Sequence, residues 1–330
     1  MNITFIIGNG FDVSLGLKTQ YKNFYPYYLH NTNDDNIIRK AIEQDKKENY
    51  KNWADLEYAL GEFTEQLKDE EIEDFIRAKV QMDKLLKGYL VNEEEKFVLN
   101  EDDDRLKCAL FNIRRTKVEK DNQKLNDLFK ATKGNNYDYR AITFNYTNAF
   151  DRVWDVLEGK EVARHNNGNN VYTEKVGGLL HIHGTLYDNE MIVGINDKSQ
   201  IKNEQLRIHK GINRVLVKPL LNDTLGQNKI EKARGIIDGS MLICLYGVSI
   251  GETDQMWWEH IGNWLKASIN RMLIIYNYEP EYLGEHIFEI IEHRDKVKEK
   301  FLNRTKLTEQ EKDGCRERII VRDNENLFSK

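Results

Sequence analysis

The chain has 330 residues, of which 40% are hydrophobic and 32% charged, enough core-forming material for one large domain or two modest ones. Its formal net charge of -6 provides no broad basic field, so nucleic acid is not expected as a main partner, and the run Arg114-Arg115-Thr116-Lys117 reads as a solvated helix face. Cys108, Cys244 and Cys315 lie far apart and form no Cys-x-x-Cys pair, which excludes a four-cysteine zinc. With no basic leader at the N-terminus and no apolar run near the roughly 18 residues that span a bilayer, the expectation is a cytoplasmic protein without a membrane partner.

Ile3 to Ile7 is a short run of β-branched and aromatic residues that leads straight into Gly8-Asn9-Gly10. This is how a buried strand hands over to a helix in a nucleotide-binding α/β unit. The two glycines permit a tight turn, either as plain structure or as a cradle in which the amides opening the next helix face a phosphate. The third glycine of a G-x-G-x-x-G fingerprint would fall at residue 13, where Val13 stands, and Gly16 comes three positions late. Asp12 either caps the helix that carries Leu17, Tyr21 and Phe24 on one face, or accepts a ribose hydroxyl.

From about residue 26 to 135 the sequence is dense in Lys, Glu, Asp and Asn, with apolar residues returning at helical intervals, as in Leu56, Leu60, Phe63 and Leu67. The spacing predicts a helical insertion. Within it Trp53 reads as core packing, and the acidic runs at 93–95 and 101–104 read as solvated charges. A second strand, Tyr139 to Phe144, ends in Asn145-Tyr146-Thr147-Asn148, a polar cluster where open α/β sheets bind ligands. Asn145 can offer a donor and an acceptor to a sugar or a water; alternatively Asn145 or Thr147 caps a helix from Ala149 to Leu157.

In Gly177 to Leu186, His181 and His183 share one face of an extended segment. One ligand-binding or catalytic histidine beside Gly184 is a better reading than a two-histidine metal site, because no third ligand stands at helical spacing. Val193 to Asp197 reads as another strand-end loop. Ser240 to Tyr246 is an apolar run ending in Gly247 to Asp254, followed by a helix with Trp257, Trp258 and Trp264; Arg271 to Tyr276 then runs to Asn277 and a long charged helix. Apolar runs alternating with helices imply an α/β fold with parallel strands covered on both faces.

In this order the strand-end elements resemble the sirtuin-like NAD-binding fold and, more narrowly, the bacterial AbiH family of phage abortive-infection proteins. The sirtuin-like opening Gly-Ala-Gly-x-Ser-x-x-x-Gly is similar to Gly8 through Gly16, with all three glycines in register. Thr143-Phe144-Asn145, His183-Gly184, Gly247-Val248-Ser249 and Asn277 are similar to that fold's later motifs. The AbiH resemblance rests on Gly8 to Asp12, Trp53 to Glu57, Phe144 to Thr147, His181 to Gly184, and Gly247 to Asp254. Departures from the pattern include Asp12, which replaces the usual small hydroxyl residue, and Thr147, which stands where many relatives carry Asp. The zinc-binding cysteines of protein-deacylating sirtuins are missing, which argues against deacylation.

The resemblance implies a Rossmann-like parallel sheet of sirtuin-like type formed by residues 1–25 and 136–330, with 26–135 as a helical insertion after the first strand-helix unit. It implies NAD as a substrate lying across the strand ends, near Gly8, Asn9, Gly10, Phe11, Asp12 and Thr147, with Gly247, Ser249 and Asn277 toward its adenosine half. His183 would be the base, and Asn145 would place the attacking water and the ribose. The implied role is an anti-phage abortive-infection effector, an NADase that cleaves the nicotinamide-ribose bond without a metal and depletes cellular NAD. NAD or a related nucleotide is the expected partner, with a homo-oligomer or a defence-system partner left open. The alternative is a non-catalytic sensor of NAD or ADP-ribose that controls a partner through the helical insertion; a metal-dependent nuclease or phosphohydrolase using the acidic clusters is a third reading.

Overall fold

The computed structural model describes residues 1–330 except 49–54, 101, 189–190, 225–227, 283, 285 and 329–330, so the core packing expected of Trp53 lies outside the described residues. The first strand, β1 (Asn2–Ile7), leads into a short helix, α1 (Gly10–Ser14). There follow α2 (Tyr21–His30), α3 (Ile37–Glu48), α4 (Leu56–Glu62), α5 (Ile72–Glu94), α6 (Arg105–Asn112) and α7 (Glu119–Ala131). Next come β2 (Tyr137–Thr143), α8 (Ala149–Asp155), β3 (Glu161–Asn167) and β4 (Asn170–His181), then α9 (Lys210–Leu216), α10 (Lys218–Thr224) and α11 (Lys229–Asp238). The chain continues through β5 (Leu242–Tyr246), α12 (Gln255–Lys266), β6 (Met272–Asn277), α13 (Ile287–Leu302), α14 (Glu309–Arg316) and β7 (Ile319–Asp323).

The strands form one sheet in the order β3-β4-β2-β1-β5-β6-β7, parallel throughout except for the antiparallel β3–β4 hairpin at one edge. Counting only the parallel strands in chain sequence, the order is third, second, first, fourth, fifth, sixth, the order of doubly wound dinucleotide-binding folds. The direction of winding reverses between β1 and β5. Ligands of open α/β sheets settle at such a reversal, outside the carboxyl ends of the strands.

Successive side chains of a strand point to opposite faces, and the apolar runs here feed two cores at once. Ile3, Phe5 and Ile7 of β1 join Leu242 and Cys244 of β5 beneath α6, α7 and α8, while Ile6, Ile243 and Leu245 join α11, α12, α13 and α14 on the other face. A third core packs α2 to α5 against Leu186, Val193, Ile195, Ile201, Leu206 and α9. The expected insertion is thus divided: side chains from Phe24 to Leu90 join this third core with residues 186–217, whereas Leu106 to Leu128 cover the sheet. No helix among the described residues is long and apolar enough to cross a membrane.

Candidate functional site

At the winding reversal the turns after β1 and β5 are pressed together. The amide of Gly8 donates to the Tyr246 carbonyl at 2.9 Å and that of Gly10 to the Gly247 carbonyl at 2.8 Å. A Cβ on Gly10 would lie 2.5 Å from the Gly247 Cα, and Gly247 itself has φ +69°, so glycine is required on both sides of this contact. The Phe11 amide donates to the Gly8 carbonyl at 3.0 Å, and the Phe11 ring is buried against Phe150, Phe328 and Tyr246. Three amides that the sequence offers to a pyrophosphate are therefore used inside the fold. Asn9 accepts a hydrogen bond from the Thr19 hydroxyl on its Oδ1 at 2.5 Å.

Asp12 lies inside α1 rather than at its cap, and its carboxylate reaches across to the segment after β2. Asn145 donates Nδ2 to Oδ1 of Asp12 at 2.9 Å, and Thr147 donates Oγ1 to Oδ2 at 2.6 Å. Neither Asn145 nor Thr147 caps the next helix; Asn148 occupies the cap, and its amide donates to Glu94 Oε2 at 2.8 Å. Because the Asn145 amide nitrogen is spent on Asp12, the group presents its oxygen. That Oδ1 is buried and has no hydrogen-bond partner among the described residues. Burial pushes the Asp12 carboxyl up to about 7 against the pull of the two hydrogen bonds, with Glu94 and Asp151 adding to the rise.

The two histidines do not share a face toward one cleft. Strand β4 ends at His181, and the chain turns before His183. His181 is saturated: Nδ1 donates to the Asn145 carbonyl at 3.0 Å, and Nε2 sits 2.9 Å and 3.0 Å from the Asp151 carboxylate oxygens. His183 is buried, with its ring 5.6 Å from Phe144 and 6.4 Å from Tyr146. Its Nε2 donates to Asp254 Oδ1 at 3.2 Å, while its buried Nδ1 has no partner among the described residues.

Asp254 opens onto a buried chain of charges. Lys218, only 3% exposed at the start of α10, places Nζ 2.9 Å from Asp254 Oδ1 and 2.8 Å from Glu57 Oε2. Glu57, from α4, also accepts from the Tyr146 hydroxyl at 2.8 Å and from the Tyr21 hydroxyl at 3.3 Å on its other oxygen. Burial opposes ionisation of Asp254, but Lys218 and then His183 outweigh it and hold the carboxyl far below the usual range. Burial likewise opposes the charge on Lys218, and Asp254 and Glu57 overcome it and raise the ammonium above its ordinary value. Asp55, the N-cap of α4, accepts from the Tyr58 amide at 3.0 Å; burial and then Glu57 push its carboxyl up to about 6. The loop that delivers Asp254 contains Ile250 at φ 53°, a buried β-branched residue in left-handed backbone, a strain that costs on the order of 1–3 kcal/mol. A small cavity is lined by His183, Lys218, Asp254, Asn196, Asn222 and Trp257.

The structure thus gathers Asp12, Asn145 and Thr147 in one contact set and His183 with Asp254, Lys218, Glu57 and Tyr146 in another, joined by the segment Phe144 to Thr147. Ser249 is exposed on the loop after β5. Asn277, at the end of β6, turns to His293 at 3.0 Å and Asp323 at 3.5 Å instead of to either set. Lys218 was missed from the sequence, where a single lysine before Pro219 in the apolar run Val215 to Leu221 carries no signal. Glu57, Tyr146 and Asp254 stood inside quoted motifs, but only the fold shows that those motifs converge.

Compared with known proteins, residues 4–276 match the family described as Bacteriophage abortive infection AbiH. No curated protein matches the chain.

Proposed function

The chain belongs to the AbiH family of bacteriophage abortive infection proteins, and from that premise we propose that it acts by hydrolysing NAD at the nicotinamide-ribose bond. The observation that carries this reading is a pair of buried polar atoms without partners among the described residues, Asn145 Oδ1 and His183 Nδ1, placed just beyond the carboxyl ends of β2 and β4. An unpaired buried acceptor costs about 1–3 kcal/mol, which a donor supplied by a ligand would recover.

In this reaction the bond from ribose C1′ to the pyridinium nitrogen breaks, and its electron pair leaves with nicotinamide. Positive charge builds on the ribose, and a water oxygen bonds to C1′ while its proton passes to His183 Nδ1. Asn145 Oδ1 accepts from that water or from a ribose hydroxyl. Carboxylates at Glu57 and Asp254 favour an oxocarbenium-like state by their negative charge. The same charges, with the amides of Gly8, Gly10 and Phe11 already bonded within the fold, disfavour a pyrophosphate there, so the reading rests on the ribose end of NAD. Chromatography of nicotinamide and ADP-ribose after incubation with NAD tests it, with His183→Ala and Asn145→Ala as controls. NAD binding without release, unaltered by His183→Ala, would favour a sensor instead.

A further inference from the structure

Lys218 is held in place before its side chain is considered. Its amide donates to the Ile195 carbonyl at 2.9 Å, the Ile195 amide donates to the Leu216 carbonyl at 2.7 Å, and Gly194 lies so close that a Cβ there would stand 2.0 Å from that same carbonyl oxygen. This stitch aims the ammonium between Glu57 and Asp254, and a single oxygen of Asp254 then accepts both Lys218 Nζ and His183 Nε2. A carboxylate only accepts, so the ring nitrogen facing it carries the hydrogen, and in the neutral ring Nδ1 is then the bare nitrogen.

A role in stability alone does not account for this arrangement. Buried ion pairs are weak stabilisers compared with apolar packing, and here the cluster also leaves His183 Nδ1 buried without a partner among the described residues. Both costs make sense if the geometry of the imidazole is what the cluster supplies. We propose that Lys218 and Asp254 are the positioning pair of His183: Asp254 fixes the ring with Nε2 protonated and Nδ1 free to take a proton, Lys218 locks the Asp254 carboxylate, and Glu57 of the helical layer anchors Lys218. The proton taken at Nδ1 rests on the NAD-hydrolysis reading; the positioning of the ring does not.

The test is a proton-nitrogen spectrum of the full chain labelled with ¹⁵N-histidine, with the His183 signal assigned through His183→Gln. The wild type should show a slowly exchanging, downfield Nε2–H signal from His183. Asp254→Ala should abolish it, Lys218→Met should displace it, and Lys218→Arg should return it toward the wild-type position. The double variant Glu57→Gln/Lys218→Met, which removes one charge of each sign, keeps the test available if Lys218→Met does not fold. On NAD, Lys218→Met should lower kcat on the order of a hundredfold with KM held within about threefold. A wild type whose His183 carries its proton on Nδ1, or whose signal is unmoved in a folded Lys218 variant, overturns the proposal. The expected signals in a wild type that leaves NAD intact uphold the positioning and refute NAD hydrolysis.

Discussion

Thr147 donates its hydroxyl to Asp12 at 2.6 Å, bridging the turn after β1 and the segment after β2. Both residues depart from the pattern the sequence resembles, a carboxylate where a hydroxyl is usual and a hydroxyl where many relatives carry a carboxylate, and here they meet in one hydrogen bond. The consequence falls on Asn145, whose amide nitrogen is claimed by the same carboxyl group and whose oxygen is left without a partner among the described residues.

The Asp12 carboxyl, raised by burial from 3.8 to about 7, makes stability depend on pH in a stated direction. Its folded value lies above its unfolded one, so the fold prefers the neutral acid; that contribution is fully present below the unfolded value and is lost as pH rises through the folded value. Asp12→Asn removes the dependence. In urea unfolding from pH 4 to 7, wild-type stability should fall relative to the variant by up to about 1.4 kcal/mol per pH unit, and the two curves should run parallel above pH ~8. Parallel curves through the whole range would contradict the assignment.

Gly10→Ala should destabilise by about 1–3 kcal/mol, because the new methyl meets the Gly247 backbone and not a side chain that can swing away. Gly88→Ala provides the contrast. Gly88 lies within α5 with open space around it, and the alanine should stabilise by about 0.5–1 kcal/mol through helix propensity. Thermal midpoints of the two variants should therefore move in opposite directions; a neutral Gly10→Ala would show that the turns after β1 and β5 are not locked together.

His181→Ala should leave NAD cleavage within about tenfold of wild type while lowering stability by about 1–3 kcal/mol, since His181 spends both ring nitrogens on Asn145 and Asp151. Activity and chemical denaturation measured on the same preparation distinguish this from a catalytic role, which would give the reverse pattern.

Glu57→Ala leaves the buried Lys218 with one carboxylate instead of two and removes the acceptor of Tyr21. Stability should drop by about 3 kcal/mol, while Glu57→Gln, which keeps an acceptor, should cost less. A loss below about 1 kcal/mol in the alanine variant would mean that the charge chain contributes little to joining the helical layer and the sheet.

The central strands were legible because parallel strands buried on both faces are continuous apolar runs: 3–7, 139–144, 240–246 and 271–276 each fall on β1, β2, β5 and β6 to within a few residues. The edge strands were not. β3 is Glu-Val-Ala-Arg-His-Asn-Asn and pairs on one side only, so it carries no apolar pattern, and β7 is five residues following a charged helix. In the site, Asn145 and His183 could be picked out because each stands just after an apolar run. Their partners could not: Asp12 bonds Asn145 across 133 positions and Lys218 bonds Glu57 across 161, and no local pattern encodes such pairs.

The most direct test is to incubate purified wild type, His183→Ala and Asn145→Ala with NAD and to quantify nicotinamide and ADP-ribose over time, after circular dichroism has shown all three to be folded. The account predicts equimolar release of the two products by the wild type, and rates at least on the order of a hundredfold lower in both variants. Release that is undiminished in the folded His183→Ala variant, or no release by the wild type at any enzyme concentration, would contradict it.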